Sequence, residues 1–174
     1  QYLVSRGKRH LAGLIIETGE AREVHHFATL ISFGASAINP YLVFEILAEL
    51  QSRGYIDKAI TISHAIEHYI LAVKKGLLKV MSKMGVSTIR SYRGSKMYEA
   101  IGLSDKLIDK YFNGVTSNIS GIGLDQIEKD VIRRHQAAFD NSDTYSRRFD
   151  TGGKYSSRMK ADRHLFSANA VVSL

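Results

Sequence analysis

Apolar positions recur every third or fourth residue through much of this chain, broken by a few short unbroken apolar runs, a mixture that predicts helices linked by short strands. Residues 11–18, Leu-Ala-Gly-Leu-Ile-Ile-Glu-Thr, form one such run, closed by Gly19. Continuous rather than alternating hydrophobicity suits a strand covered on both faces, as in a parallel sheet. A helix over 27–33 stops at Gly34. Asn39-Pro40 opens the next helix, with proline at its first position, and this runs to about residue 53 ahead of Gly54.

The longest helix is expected over 57–84, where Ile62, Ile66, Tyr69, Ile70, Val73, Leu77, Val80 and Met84 keep one apolar stripe and Gly85 caps the end. Residues 86–92 then read as a short strand, because Val, Thr, Ile and Tyr are β-formers bounded by Gly85 and Gly94. Helices over 95–101, 104–112 and 124–139 follow. From residue 140 the apolar stripes give way to Asn, Ser, Thr, Gly-Gly and scattered Arg. The expected fold is therefore α/β and helix-dominated, a partial (β/α) barrel-like segment with two or three short parallel strands, about six helices and an irregular basic C-terminal arm. Residues 1–139 read as one domain and 140–174 as the arm.

Composition narrows the chemistry. The 174 residues include one Pro and 14 Gly, and 44% are hydrophobic, enough for one core. With no Cys, the chain offers no disulfide, thiolate nucleophile or cluster-ligating thiolate. No apolar run approaches the roughly 20 residues that span a bilayer, so no membrane partner is expected. No signal-peptide pattern opens the chain. The cytoplasm is the expected compartment, or an organelle stroma such as a plastid's in a eukaryote. Gln1 is not an initiator Met, so the chain is expected to begin within a longer polypeptide.

The formal charge of +7 is unevenly placed, because Lys74, Lys75, Lys79, Lys83, Arg90, Arg93 and Lys96 follow one another with no acid between them. The excess is expected in this window, where it would attract anions. Lys75, Lys79 and Lys83 step along one helix face, whereas Arg90 and Arg93 lie past Gly85 on the next element, so the charge turns a corner with the chain. Lys79, Ser82, Lys83, Arg90 and Arg93 are the candidate anion-facing residues. Nucleic acid is a poor fit, since no aromatic platform is interleaved with the basic residues. From Tyr145 onward the arm carries six basic residues against two acidic ones, which suits an acidic or anionic surface.

Arg22, His25 and His26 form a second candidate group, with Glu17, Glu20 and Glu23, just after the first expected strand, where parallel α/β folds gather binding sites. The competing reading places the acids at the start of the following helix with one His packed and hydrogen-bonded. His64-Ala-Ile-Glu-His68 matches an H-x-x-E-H metal pattern, but both His fall opposite the apolar stripe beside Lys75, so no metal site is expected there. Gly121-Ile-Gly123 lacks the third glycine of a dinucleotide loop and reads as a helix-entry turn. No catalytic residue is assigned.

Three blocks carry a wider resemblance: Glu17 to Ala28, reading Glu-Thr-Gly-Glu-Ala-Arg-Glu-Val-His-His-Phe-Ala; Phe33 to Leu42, reading Phe-Gly-Ala-Ser-Ala-Ile-Asn-Pro-Tyr-Leu; and Lys75 through Leu103. In order and spacing they resemble the large subunit of glutamate synthase where its central domain leads toward its FMN-binding barrel. Gly121 to Leu124, Arg133 to His135, Ala138-Phe139, Gly152 to Tyr155, Arg158 and His164 continue the match. Ala161-Asp162, Ala168-Asn169 and Lys96 depart from the family's usual Gly-Glu, Pro-Glu and Gln.

The resemblance implies an enzyme that hydrolyses glutamine, channels the ammonia and adds it to 2-oxoglutarate, with FMN reducing the imine and iron-sulfur clusters delivering electrons. It implies that this segment binds no cofactor itself, that its partners are the remaining domains of the large subunit, and that electrons arrive from a small NADPH-oxidising subunit or ferredoxin. Alone, the segment is expected to be inactive and to serve as structural coupling. Two readings from other classes remain beside it: a stand-alone basic module holding an acidic protein partner, and a nucleic-acid-binding domain.

Overall fold

The computed structural model describes residues 2–112, 114–139, 167 and 171–173. The basic arm expected over 140–174, with the motif residues it carries, falls almost entirely outside them. The chain divides into two units, Gln1–Gln126 and Ile127–Leu174. The described part of the second unit is the body of one helix and a few residues near the C-terminus.

The first unit is helix-dominated, with two separate pairs of parallel strands, and no barrel closes among the described residues. A short helix α1 (Tyr2–Ser5) and a 3-10 turn (Arg9–Leu11) precede β1 (Ile15–Glu17), α2 (Val24–Ser32) and β2 (Ala37–Asn39). Strands β1 and β2 pair from Ile15 with Ala37 to Glu17 with Asn39. Parallel neighbours need a crossover, and α2 supplies it. After α3 (Tyr41–Ser52), α4 (Ile62–Lys83) and the one-turn α5 (Ile89–Tyr92), the same device recurs: β3 (Ile101–Leu103), α6 (Asp105–Tyr111) and β4 (Ile119–Ile122) make a second parallel pair. Helix α7 (Leu124–Phe139) follows.

Helix α4 packs against both α2 and α3. Tyr69 sits at that junction, its ring edge-on to Phe27 of α2 and Phe44 of α3, both at 6.4 Å between centroids. Its hydroxyl donates to the Arg22 carbonyl at 2.9 Å, and burial raises its pKa. Gly76 is where α4 comes closest to the start of α2. A Cβ built there would lie 2.4 Å from a Val24 methyl, so only glycine permits the approach. The core beside it is built on Ala28, Met81 and Tyr92, with Leu77, Val80, Met84 and Tyr98 packed around them.

Several expectations need correction. The strand expected over 86–92 is instead a loop and the helix α5, because Thr88 caps the turn by accepting from the Ser91 N–H at 3.3 Å. Four β-forming residues, Val86, Thr88, Ile89 and Tyr92, with no strand beside them give way to that cap. The helix expected over 95–101 is absent: the chain is irregular there and becomes β3 at Ile101. The first strand spans three residues rather than eight and is not covered on both faces, since Ile15 is 77% exposed. Strand β2 was not expected at all. Gly121 lies within β4 rather than in a turn, and a Cβ there would fall 2.3 Å from the Gly102 carbonyl oxygen, so the second strand pair requires it. Pro40 precedes the first residue of α3 by one position.

Candidate functional site

Helix ends leave their last carbonyls without intrahelical partners, and the last turn of α2 resolves this by binding another segment of the chain. The Gly94 N–H donates to the Ile31 carbonyl at 3.1 Å and the Lys96 N–H to the Ser32 carbonyl at 2.9 Å. The Met97 N–H donates to Ser32 Oγ at 3.0 Å, and Ser95 Oγ pairs with the same hydroxyl at 3.2 Å. Ser32 is fully buried at the centre of this lacing. Gly94 and Lys96 both take positive φ, 79° and 53°, which turns their N–H groups toward α2, while the Ser95 N–H between them donates back to the Tyr92 carbonyl at 3.2 Å. That is why no helix forms over 95–101.

One turn earlier, Tyr92 locks the same segment from inside. Its side chain is fully buried, its hydroxyl donates to the Ala28 carbonyl at 3.0 Å, and it shares a 2.9 Å hydrogen bond with Tyr98. Burial first, then the Tyr98 bond and charge, push the Tyr92 pKa well above the usual phenol range. Tyr98 meets His25 edge-on at 5.2 Å.

Beside this lacing opens a cleft of about 1040 Å³. Its basic lining is Arg9, His10, Arg93 and Lys96, and no acidic residue lines it among the described residues. Phe33 and Phe112 pack edge-on at 5.5 Å in its wall. Arg9 is fixed by its own fork, one arm donating to the Ala12 carbonyl at 2.7 Å and the other to the Gly34 carbonyl at 2.8 Å. It thereby ties the N-terminal segment to the exit of α2 and sets a cation at the helix's negative end.

The five anion-facing candidates are thus divided by the fold. Arg93 lines the large cleft, Ser82 lines a separate cavity of about 310 Å³ between α4 and residues 85–87, and Lys79, Lys83 and Arg90 are exposed and line neither. Arg22, His25 and His26 gather at the opposite end of α2. Glu23 and His26 form a reciprocal capping box, and His26 Nδ1 accepts from the backbone N–H of both Arg22 and Glu23 at 3.1 Å. His25 is exposed, and Arg22 reaches Glu20 at 4.0 Å on the surface. His64 and His68 also face solvent, their rings 4.0 Å apart. Among the described residues no cluster of three or more His, Asp or Glu is placed to hold a metal ion.

Sequence reasoning missed Ser32, Ser95, Arg9 and His10. The serines carry no pattern that marks them. Arg9 did carry a signal: Arg6, Lys8 and Arg9 precede the first acid, so the basic excess is not confined to 74–96.

Comparison with known proteins bears on what this arrangement serves. The model of a family described as the glutamate synthase central domain matches residues 1–104. The chain is 41% identical over its whole length to the glutamate synthase (NADPH) large chain of Bacillus subtilis, covering 11% of that protein. It is 36% identical over 174 residues to the glutamate synthase (NADH) of Schizosaccharomyces pombe, an alignment covering 99% of this chain and 8% of the relative. With the ferredoxin-dependent glutamate synthase of the genus Antithamnion, identity is 37% over 79% of this chain and 10% of the relative. The chain thus spans about a tenth of the length of these relatives.

Proposed function

This chain belongs to the glutamate synthase central domain family, and from that premise we propose that it is the part of a glutamate synthase large chain that leads from the central domain toward the FMN-binding domain, with structural coupling as its task. The domain boundary is placed after residue 139, with 140–174 as the connecting arm. In the whole enzyme, ammonia released from glutamine in one domain adds to 2-oxoglutarate in another to give glutamate. FMN supplies the reduction of the imine and iron-sulfur clusters bring the electrons. The partners are the other domains of the large chain, together with a small NADPH-oxidising subunit or ferredoxin as electron source. The names of the relatives include NADPH, NADH and ferredoxin forms.

Among the described residues neither cofactor finds a complete binding site. Iron-sulfur ligation needs thiolates, and there is no Cys. A phosphate cradle needs several backbone N–H groups aimed at one point, and those of Gly94, Lys96 and Met97 are committed to Ile31 and Ser32. Alone, the segment is inactive.

The observation that carries this reading is the fully buried Ser32, which binds residues 95–97 to the end of α2 and stiffens the Lys75 to Leu103 block against the crossover helix. Stiff packing of this kind keeps a passage between two reaction centres in register. Lys79, Lys83, Arg90 and Arg93 present its charge to an anionic neighbour. The test is full-length enzyme carrying Lys83→Ala and Arg93→Ala, with the affinities for FMN and 2-oxoglutarate and the yield of glutamate per glutamine hydrolysed as readouts. Reduced affinity or reduced yield is expected; wild-type values in all three refute it.

A further inference from the structure

We propose that the basic cleft beside α2 is a docking groove for an acidic segment of the same large chain lying outside these 174 residues. The proposal rests on the junction reading above and names the anion that the basic block meets.

The lining combines four basic side chains with apolar surface that solvent reaches. Tyr2 is 71% exposed, Leu11 72% and Tyr111 51%, all on the rim or wall of the cleft. No carboxylate among the described residues lines it beside Arg9, His10 and Arg93. The Arg93 guanidinium makes no hydrogen bond or ion pair with another described residue, so its donors are open to a ligand. Arg9, held by two carbonyls, presents a fixed positive charge that needs no reordering when an anion arrives.

Size separates a polypeptide from a small anion. About 1040 Å³ in a half-open groove slightly exceeds the range of pockets that enclose drug-sized ligands. Aromatic and aliphatic walls beside basic side chains, with no carboxylate in the lining among the described residues, match a segment with carboxylates flanking an apolar side chain. Relatives about ten times longer supply ample chain to provide one.

Zero-length crosslinking with a carbodiimide tests this in the full-length large chain. The reagent joins the Lys96 amine only to a carboxylate in direct contact. Mass spectrometry is expected to find Lys96 joined to an Asp- or Glu-containing peptide from beyond this chain, with the yield falling at least fivefold in Arg93→Glu. The proposal is overturned if Lys96 links only within these 174 residues. It is overturned equally if Lys96 stays open to a small acetylating reagent, or is protected only when phosphate or 2-oxoglutarate is added. The intact mass of the native polypeptide separates the two failures: a product no longer than this chain refutes the junction reading itself, whereas a long product with an open Lys96 refutes only the docking.

Discussion

Replacing Ser32 by Ala removes one oxygen from a fully buried position and tests whether residues 94–97 are held by α2. The Met97 N–H loses its acceptor at 3.0 Å and the Ser95 hydroxyl its partner at 3.2 Å. Stranding a buried donor costs about 1–3 kcal/mol. Met97 is 42% exposed, so water can reach the freed N–H and the lower half of that range applies. A penalty of about 1–2 kcal/mol multiplies the open population roughly 5- to 30-fold. Amide-resolved hydrogen exchange in the full-length large chain should show the Met97 amide accelerated by that factor. Gly94 and Lys96, whose acceptors are backbone carbonyls, should accelerate with it, because the segment opens as one unit. Met97 exchange within twofold of wild type would refute the reasoning.

Two further outcomes follow from the core. Gly76→Ala places a methyl against Val24; overpacking of about 1–3 kcal/mol outweighs a helix-propensity gain of about 1 kcal/mol, so the denaturant midpoint falls, and adding Val24→Ala restores more than the sum of the single changes allows. Tyr92 has a folded pKa raised above the unfolded value of about 10. Its contribution to stability is therefore complete below about pH 10 and is lost as pH rises from there toward the folded value, since only the unfolded state releases the proton. Tyr92→Phe is less stable than wild type at neutral pH, by about 1 kcal/mol for the lost hydrogen bonds, and its denaturant midpoint falls less steeply above pH 10.

How far the sequence led depended on whether an element was stabilised locally. Helix α4 was legible because its apolar stripe extends over 22 residues, although it starts at Ile62, where Thr61 caps it, rather than at 57; α2, α3, α6 and α7 were legible from their apolar spacing and the glycine, asparagine or proline breaks beside them. Strands of three or four residues have no periodicity to detect, and β2 and β3 owe their existence to partners elsewhere in the chain. Residues 86–101 were misread twice, because Thr88 favours a turn where the composition favours a strand, and the α2 carbonyls take the N–H groups that a local helix would have used. Arg93 was singled out from charge alone and lies on the cleft. Ser32 could not be singled out, since a serine near a helix end looks the same whether it caps water or another segment.

In the proposed role, the block laced to α2 keeps glutamine hydrolysis and glutamate formation in step. The most direct measurement is the ratio of glutamate formed to glutamine hydrolysed by full-length enzyme carrying Ser32→Ala. Glutamine hydrolysis is expected to persist while glutamate yield per glutamine falls, as ammonia escapes a loosened junction. A wild-type ratio, with the Met97 amide already shown to exchange faster, would contradict it.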